Sequence, residues 1–314
     1  MMRMALATMA IVLLVPSAFS ATAFATDFDA DQSANFVSLQ TSPVSPALEN
    51  PIDFTYDYST YVATGLPATP TANAVDTIVP APNGPATTIG VFMQCNIGGN
   101  GIASSAQIQT NAIFAGDVTA SVDAFSMHNG KAGGAGGSTI YFGLGLFGDA
   151  TVAMGQDGIT GGPGIIYTNT GDGGSSADVR VAVDGVNQAT GFLASYGANN
   201  TDSGWVALYP NNAVADVGGD DVSGEVLAGA PGKQWVVIDV TYTDGTDTFD
   251  VSFDGTPVYS LVGTGVGDTF GSVALTYSDR FNSIANPAGD QFQLYDNLSI
   301  NATVPVELSI LSTD

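Results

Sequence analysis

From Trp235 to Tyr259 apolar and polar positions alternate with a period of two. The stretch reads WVVIDVTYT, then DGTD, then TFDVSFDGTPVY. Val236, Ile238, Val240 and Tyr242 share one face of the first segment. Phe249, Val251 and Phe253 share one face of the second, with Asp250, Ser252 and Asp254 opposite. Such alternation predicts a β-hairpin closed by the Asp/Gly turn, with one face buried and one solvated. A lone hairpin is marginal in water, so its apolar row requires a second sheet to cover it.

The rest of the chain repeats this pattern in short pieces. Strands are predicted at 35–39, 52–62, 88–95, 107–114, 118–127, 138–147, 164–168, 179–183, 204–209, 271–277 and 292–300, separated by Gly-, Asp- and Asn-rich turns. In 52–62, alternation puts Ile52, Phe54, Tyr56 and Tyr58 on one side. Between 66 and 86, prolines 67, 70, 80, 82 and 85 break any regular pattern and predict an extended surface loop. A linker between two domains is the alternative, but residues 26–65 are too few and too strand-poor to build a core alone. Many short strands without a helical period indicate an all-β, two-sheet antiparallel sandwich or a barrel.

Composition sharpens this picture. The helix formers Lys, Arg and Glu are scarce, whereas glycine alone accounts for 39 of 314 residues. The first residues, MMRMALATMAIVLLVPSAFSATAFA, combine one arginine, an apolar run from Met4 to Val15 and the small-x-small triplet Ala23-Phe24-Ala25. That pattern predicts a secretory signal peptide over 1–25, cleaved before Thr26; the run falls short of the roughly 20 residues a bilayer span needs. An uncleaved anchor is the alternative. No later stretch is apolar enough to span a membrane, so a secreted or cell-surface protein is expected.

The formal charge is −25, from 30 acidic residues against five basic ones. Phosphate backbones and anionic membrane surfaces repel such a chain, which argues against nucleic-acid and lipid-surface partners. The carboxylates serve either solvation or divalent-cation binding. Cys95 is the only cysteine, so no intrachain disulfide forms; in the strand-like run TIGVFMQC it reads as a buried, inert thiol.

The hairpin also carries a resemblance. Trp235-Val-Val-Ile-Asp-Val-Thr-Tyr242 and Phe253-Asp-Gly-Thr-Pro-Val258 look like the central hairpin of LamG-like, concanavalin A-like jelly rolls, and Phe292-Gln-Leu-Tyr-Asp-Asn-Leu-Ser-Ile300 is similar to their closing strand. Val304-Pro305-Val-Glu-Leu308 resembles the start of a C-terminal sorting tail found on secreted bacterial proteins of this kind, although no long apolar segment or basic end follows it. The resemblance implies a jelly-roll domain over 26–302 followed by a tail, 303–314. It implies that the strand near Asn35 and the one near Tyr295 pair beside one another. It also implies glycan ligands on a concave face or an edge, and a structural calcium ion tying the N-terminal segment to the last strand, placed by position at Asp29 and Asp296.

Catalytic signatures are missing from the sequence. Glycoside hydrolysis needs a carboxyl pair, and the Glu-x-Asp-x-x-Glu strand of concanavalin-like glucanases has no counterpart, since Glu49, Glu225 and Glu307 are scattered. His128 is the only histidine and no Gly-x-Ser-x-Gly occurs, which argues against serine hydrolases and zinc sites. Gly143-Leu-Gly-Leu-Phe-Gly148 matches the dinucleotide fingerprint only in letters, because no helix is predicted after it. Asp27/Asp29/Asp31, Asp172/Asp178, Asp216/Asp220/Asp221 and Asp244/Asp247/Asp250 are dense enough in oxygen for calcium, or equally cap their own turns. Aromatic and polar residues coincide at 196–209, where Tyr196, Asn199, Trp205 and Tyr209 are candidate sugar-binding residues, with core packing of Trp205 as the alternative. The expected protein is a non-catalytic carbohydrate-binding or adhesion module whose partner is a glycan or extracellular polysaccharide. The alternatives are a structural matrix or surface-layer component and, third, a glycoside hydrolase.

Overall fold

A computed structural model describes residues 20–41, 50–62, 77–95, 97, 104–128, 131–133, 140–149, 161–169, 171, 177–210, 226–267, 269–279, 284–286 and 291–303. Asp172, the Asp216/Asp220/Asp221 group, most of the predicted leader and the tail from Val304 lie outside these residues.

Strands in the first half of the chain are β1 (Ser20–Thr26), β2 (Phe36–Thr41), β3 (Ile52–Asp57), β4 (Ile89–Met93), β5 (Ser104–Thr110), β6 (Phe114–Ala115), β7 (Val118–His128), β8 (Lys131–Gly133) and β9 (Ile140–Gly148). Then come β10 (Pro163–Thr168), β11 (Val179–Val183), β12 (Val186–Asn187) and a short helix, α1 (Ser203–Leu208). The chain continues through β13 (Trp235–Thr243), β14 (Thr248–Phe253), β15 (Thr256–Val262), β16 (Phe270–Asp279), β17 (Ile284–Asn286) and β18 (Gln291–Thr303).

These strands form a two-sheet antiparallel jelly-roll sandwich. The first sheet runs β15-β14-β13-β7-β18-β4-β3, with β1 alongside β18; the second runs β12-β11-β10-β9-β16-β5-β2, with β6 beside β16. Small β8 and β17 pair separately. The hairpin is as its alternation predicts: Val236, Ile238, Val240, Tyr242, Phe249, Val251 and Phe253 are all buried. The second sheet roofs them. Phe147 meets Tyr242 edge-on at 5.2 Å, and Tyr167 meets Phe253 at 5.7 Å. Burying each such side chain contributes about 1.5–3 kcal/mol.

Three expectations are corrected. Residues 203–208 are helical, not extended: Trp205, Leu208 and Tyr209 recur at the i, i+3, i+4 spacing of a helix face, and Trp205 and Tyr209 pack inward. The one-sided alternation of 52–62 fails because β3 holds one extra residue opposite β4 between Asp53 and Tyr56. Such a bulge sends later side chains to the other face, so Phe54 joins the central core while Tyr56 and Tyr58 join an outer cluster. Third, β2 and β18 are not neighbours. β2 pairs with β5 in the second sheet, while β18 lies between β7 and the pair β4 and β1 in the first.

The outer face of the first sheet is itself apolar. Tyr58, Tyr61, Ile78, Phe125, Met127, Phe292 and Leu294 form a second cluster there, with Tyr56, Phe92 and Trp235 at its margin. The proline-containing loop covers part of it: Ile78 and Ala81 are buried, and Ala81 N–H donates to the Tyr58 hydroxyl at 3.2 Å. The described part of this loop is therefore docked on the sheet.

Candidate functional site

Where the loop stops covering the outer cluster, a groove of about 620 Å³ opens. Thr77, Val79, Pro80 and Pro82 form one wall. Phe125, Trp235 and Val237 form the floor, and Lys233, Gln234 and Asp254 bring polar groups to it. Strand alternation explains the floor. Trp235 and Val237 are the odd-numbered residues of β13, turned away from the central core, and Trp235 lies directly across from Phe125 of β7.

The indole of Trp235 is fixed on three sides and partly exposed on the fourth. Its Nε1–H donates to the Val79 carbonyl at 2.7 Å. Its ring meets Phe125 at 5.4 Å and Tyr58, edge-on, at 5.5 Å. An aromatic ring held in one orientation presents its surface at little entropic cost. Asp254 is fixed as well. It occupies the β14–β15 turn with positive φ, accepting Val237 N–H at 2.8 Å and the Tyr209 hydroxyl at 3.2 Å. Partial desolvation raises its pKa above the ordinary carboxylate value, against the lowering effect of those two donors.

The sequence-predicted sugar residues are not in this groove. Trp205 is 0 % exposed, its Nε1–H bonded to the Gly197 carbonyl and its ring against Tyr167, Tyr196 and Phe253. A ring so enclosed has no face for a ligand. Tyr209 is buried too, and reaches the groove only through its hydrogen bond to Asp254. Tyr196 packs edge-on against Trp205, and Asn199 N–H donates to Asp202. The aromatic that lines this groove is instead Trp235. Its signal was an aromatic at an outward position of an alternating strand, preceded by the polar Lys233-Gln234.

Beneath the loop lies an acidic cluster that contains the predicted metal pair. Asp296 of β18 faces Asp123 of β7 across the ladder, and both are almost fully buried. Asp123 accepts from Asn83 N–H at 3.0 Å, Asn83 Nδ2 at 2.7 Å and Asn297 Nδ2 at 2.8 Å. Asp296 accepts from Asn297 N–H at 2.8 Å and the Tyr58 hydroxyl at 3.1 Å. Burial, with smaller contributions from the Asp123 and Asp29 charges, raises the Asp296 pKa to about 7. The Asp29 charge thus acts on Asp296, and Asp29 Oδ1 is buried with no hydrogen-bond partner. Sequence reasoning missed Asp123, Asn83 and Tyr58, although an aspartate amid the buried run Val122-Asp-Ala-Phe125 was a visible anomaly.

This donor set does not fit a calcium ion as arranged. Asp123 and Asp296 are each engaged by N–H or O–H donors that a cation would have to displace, and among the described residues no three His, Cys, Asp or Glu side chains converge as a ligand set. Several other candidate aspartates cap turns instead. Asp27 and Asp31 accept the backbone N–H two residues on, and Asp247 accepts from Gly265 N–H, the Tyr242 hydroxyl and the Thr264 hydroxyl. The expected melting temperature is therefore the same in calcium and in chelator; a rise of several degrees with calcium would show that a cation does displace those donors.

The remaining sequence candidates are structural. Gly143–Gly148 lies within β9. Cys95 is buried, its pKa raised by desolvation and by the Asp279 charge. Among the described residues no helix is long and apolar enough to cross a membrane.

No protein-family model matches this chain, and no curated protein matches it. Solved structures do. The carbohydrate-binding module CBM66 from Bacillus subtilis is 12% identical, over 68% of this chain and 87% of that one, with a TM-score of 0.34. The Emp47p carbohydrate recognition domain is 12% identical, over 72% and 95%, at 0.37. The VIP36 exoplasmic/lumenal domain, in a form bound to Ca2+ and Man2, is 15% identical, over 71% and 79%, at 0.36.

Proposed function

We propose that this protein is a secreted or cell-surface, non-catalytic carbohydrate-binding module and that the Trp235 groove is its glycan site. The observation that carries the reading is the Trp235 indole, locked from behind and partly open in front, set in a groove whose polar groups come from Thr77, Lys233, Gln234 and Asp254. Sugars are recognised this way, by an aromatic face against the apolar side of a pyranose ring and polar groups for its hydroxyls. The absence of a glucanase-type carboxylate strand from the sequence supports binding without catalysis.

The chain has two tryptophans; Trp205 is fully buried and Trp235 half-buried. Titration with soluble polysaccharides is expected to shift tryptophan emission. Trp235→Ala should weaken retention on a glycan array or affinity gel by about 10- to 100-fold, an effect of roughly 1.5–3 kcal/mol. Retention unchanged in that variant would remove the groove from the reading. A second reading, an assembling matrix component, is favoured by Ile113, just before β6, and Phe270, the first residue of β16, which are 60% and 58% exposed. No saccharide retained, together with concentration-dependent self-association, would put that reading first.

A further inference from the structure

We propose that the export leader is removed between Ser20 and Ala21, so that residues 21–26 stay in the exported protein as the strand completing its first sheet. This rests on reading residues 1–20 as a leader, and it replaces the cleavage before Thr26 that the Ala23-Phe24-Ala25 triplet alone suggests.

The placement of β1 carries this proposal. It pairs antiparallel with the C-terminal half of β18, from Ser20 opposite Thr303 to Thr26 opposite Leu298, and the Thr22 hydroxyl donates to Asn301 Oδ1 at 3.1 Å. On that side of β18, β4 pairs only with Gln293–Tyr295. Among the described residues, β1 is therefore what closes the ladder beyond Tyr295. Its side chains also reach the core: Phe24 meets Phe36 edge-on at 5.8 Å, and Phe36 in turn contacts Phe28 and Phe54. Cleavage before Thr26 would discard this strand, leave the backbone of Leu298–Thr303 an open edge and uncover Phe36.

A second small-x-small triplet, Ala18-Phe19-Ser20, ends where the strand begins. It also lies nearer the apolar run that ends at Val15. At no more than about 3.5 Å per residue, a bond after Ser20 lies within roughly 18 Å of that run, against roughly 35 Å for one after Ala25. A peptidase working at the membrane surface reaches the first more readily. The reaction is hydrolysis: one water adds across the Ser20–Ala21 peptide bond, Ser20 leaves as the carboxylate end of the leader, and Ala21 becomes the new amino terminus.

The test is expression of the full chain in a secreting bacterial host, followed by amino-terminal sequencing and intact mass of the exported protein. An Ala21 terminus is expected. A terminus at Phe24 or Thr26, or an unprocessed start, overturns the proposal. Chains made to begin at Ala21 and at Thr26 should also differ, the shorter melting lower by about 5 °C or more. Equal melting temperatures would show that β1 is not part of the mature fold.

Discussion

Gly143→Ala is expected to destabilise the fold severely. Gly143 lies in β9 with a neighbour on each side, Ile166 of β10 and Thr276 of β16. A Cβ at this position would sit 2.0 Å from the Ile165 carbonyl oxygen and 2.9 Å from Ile166 Cα, both backbone atoms that cannot swing aside. The same residue anchors a link between the sheets. Its N–H donates to the Tyr295 hydroxyl at 2.9 Å, and that hydroxyl donates to the Thr276 carbonyl at 2.6 Å, so a β18 side chain crosses the sandwich to tie β9 to β16. Overpacking alone costs about 1–3 kcal/mol, and losing this link adds a similar amount, together a large share of a domain's usual 5–15 kcal/mol. The measurement is soluble yield and circular dichroism. Tyr295→Phe separates the two contributions: it removes only the hydroxyl, leaves the Gly143 N–H buried without a partner, and should cost about 1–3 kcal/mol in urea unfolding. A Gly143→Ala protein of wild-type stability would mean that β9 and β10 are not packed this closely.

The second large effect is a loss of stability as pH rises toward neutrality. The Asp296 pKa is raised from 3.8 to about 7, chiefly by burial. Below about pH 4 the residue is protonated in folded and unfolded chains alike, and its contribution is fully present. Between about 4 and 7 the unfolded chain releases the proton while the folded chain holds it, so stability falls with rising pH, and above 7 the contribution is gone. The expected loss across that window is on the order of 2–4 kcal/mol. Other carboxylates slope the opposite way: Asp31 is lowered mainly by Ser33, and Asp57 mainly by Ser59. The informative quantity is therefore the difference between wild type and Asp296→Asn in urea unfolding from pH 4 to 8. The variant should lose the downward slope and equal or exceed wild type at pH 8. Parallel curves would show that Asp296 ionises freely and that the acidic cluster stores no proton.

Much of the architecture could be read without coordinates, because side-chain period is a local property. Alternation in 236–253 named the buried row of the hairpin correctly to the residue, and the runs at 118–127, 179–183 and 292–300 fall on β7, β11 and β18. Where local signals competed, the reading slipped. The tight triplet Trp205/Leu208/Tyr209 sits in a run that reads as extended yet folds as a helix, and the β3 bulge inverts Tyr56 and Tyr58. A bulge is defined by the partner strand, which the sequence of one strand does not contain.

The candidate site depended still more on partners distant in the chain. Tyr196, Asn199, Trp205 and Tyr209 looked like a sugar site because they are adjacent in sequence, yet Trp205 serves the core between the sheets. Trp235 came to line a groove only when residues 77–82 docked beside it, more than 150 positions away. The Asp29 charge does act on Asp296, but donors brought by Asn83, Tyr58 and Asn297 occupy the Asp123 and Asp296 oxygens that a cation would need. Taken alone, the order of residues determined which stretches are strands and which face of each is greasy, because those follow from a two-residue period. Tertiary structure alone decided which rings remain open to solvent and which carboxylate is buried deeply enough to hold its proton, because both depend on what folds over them.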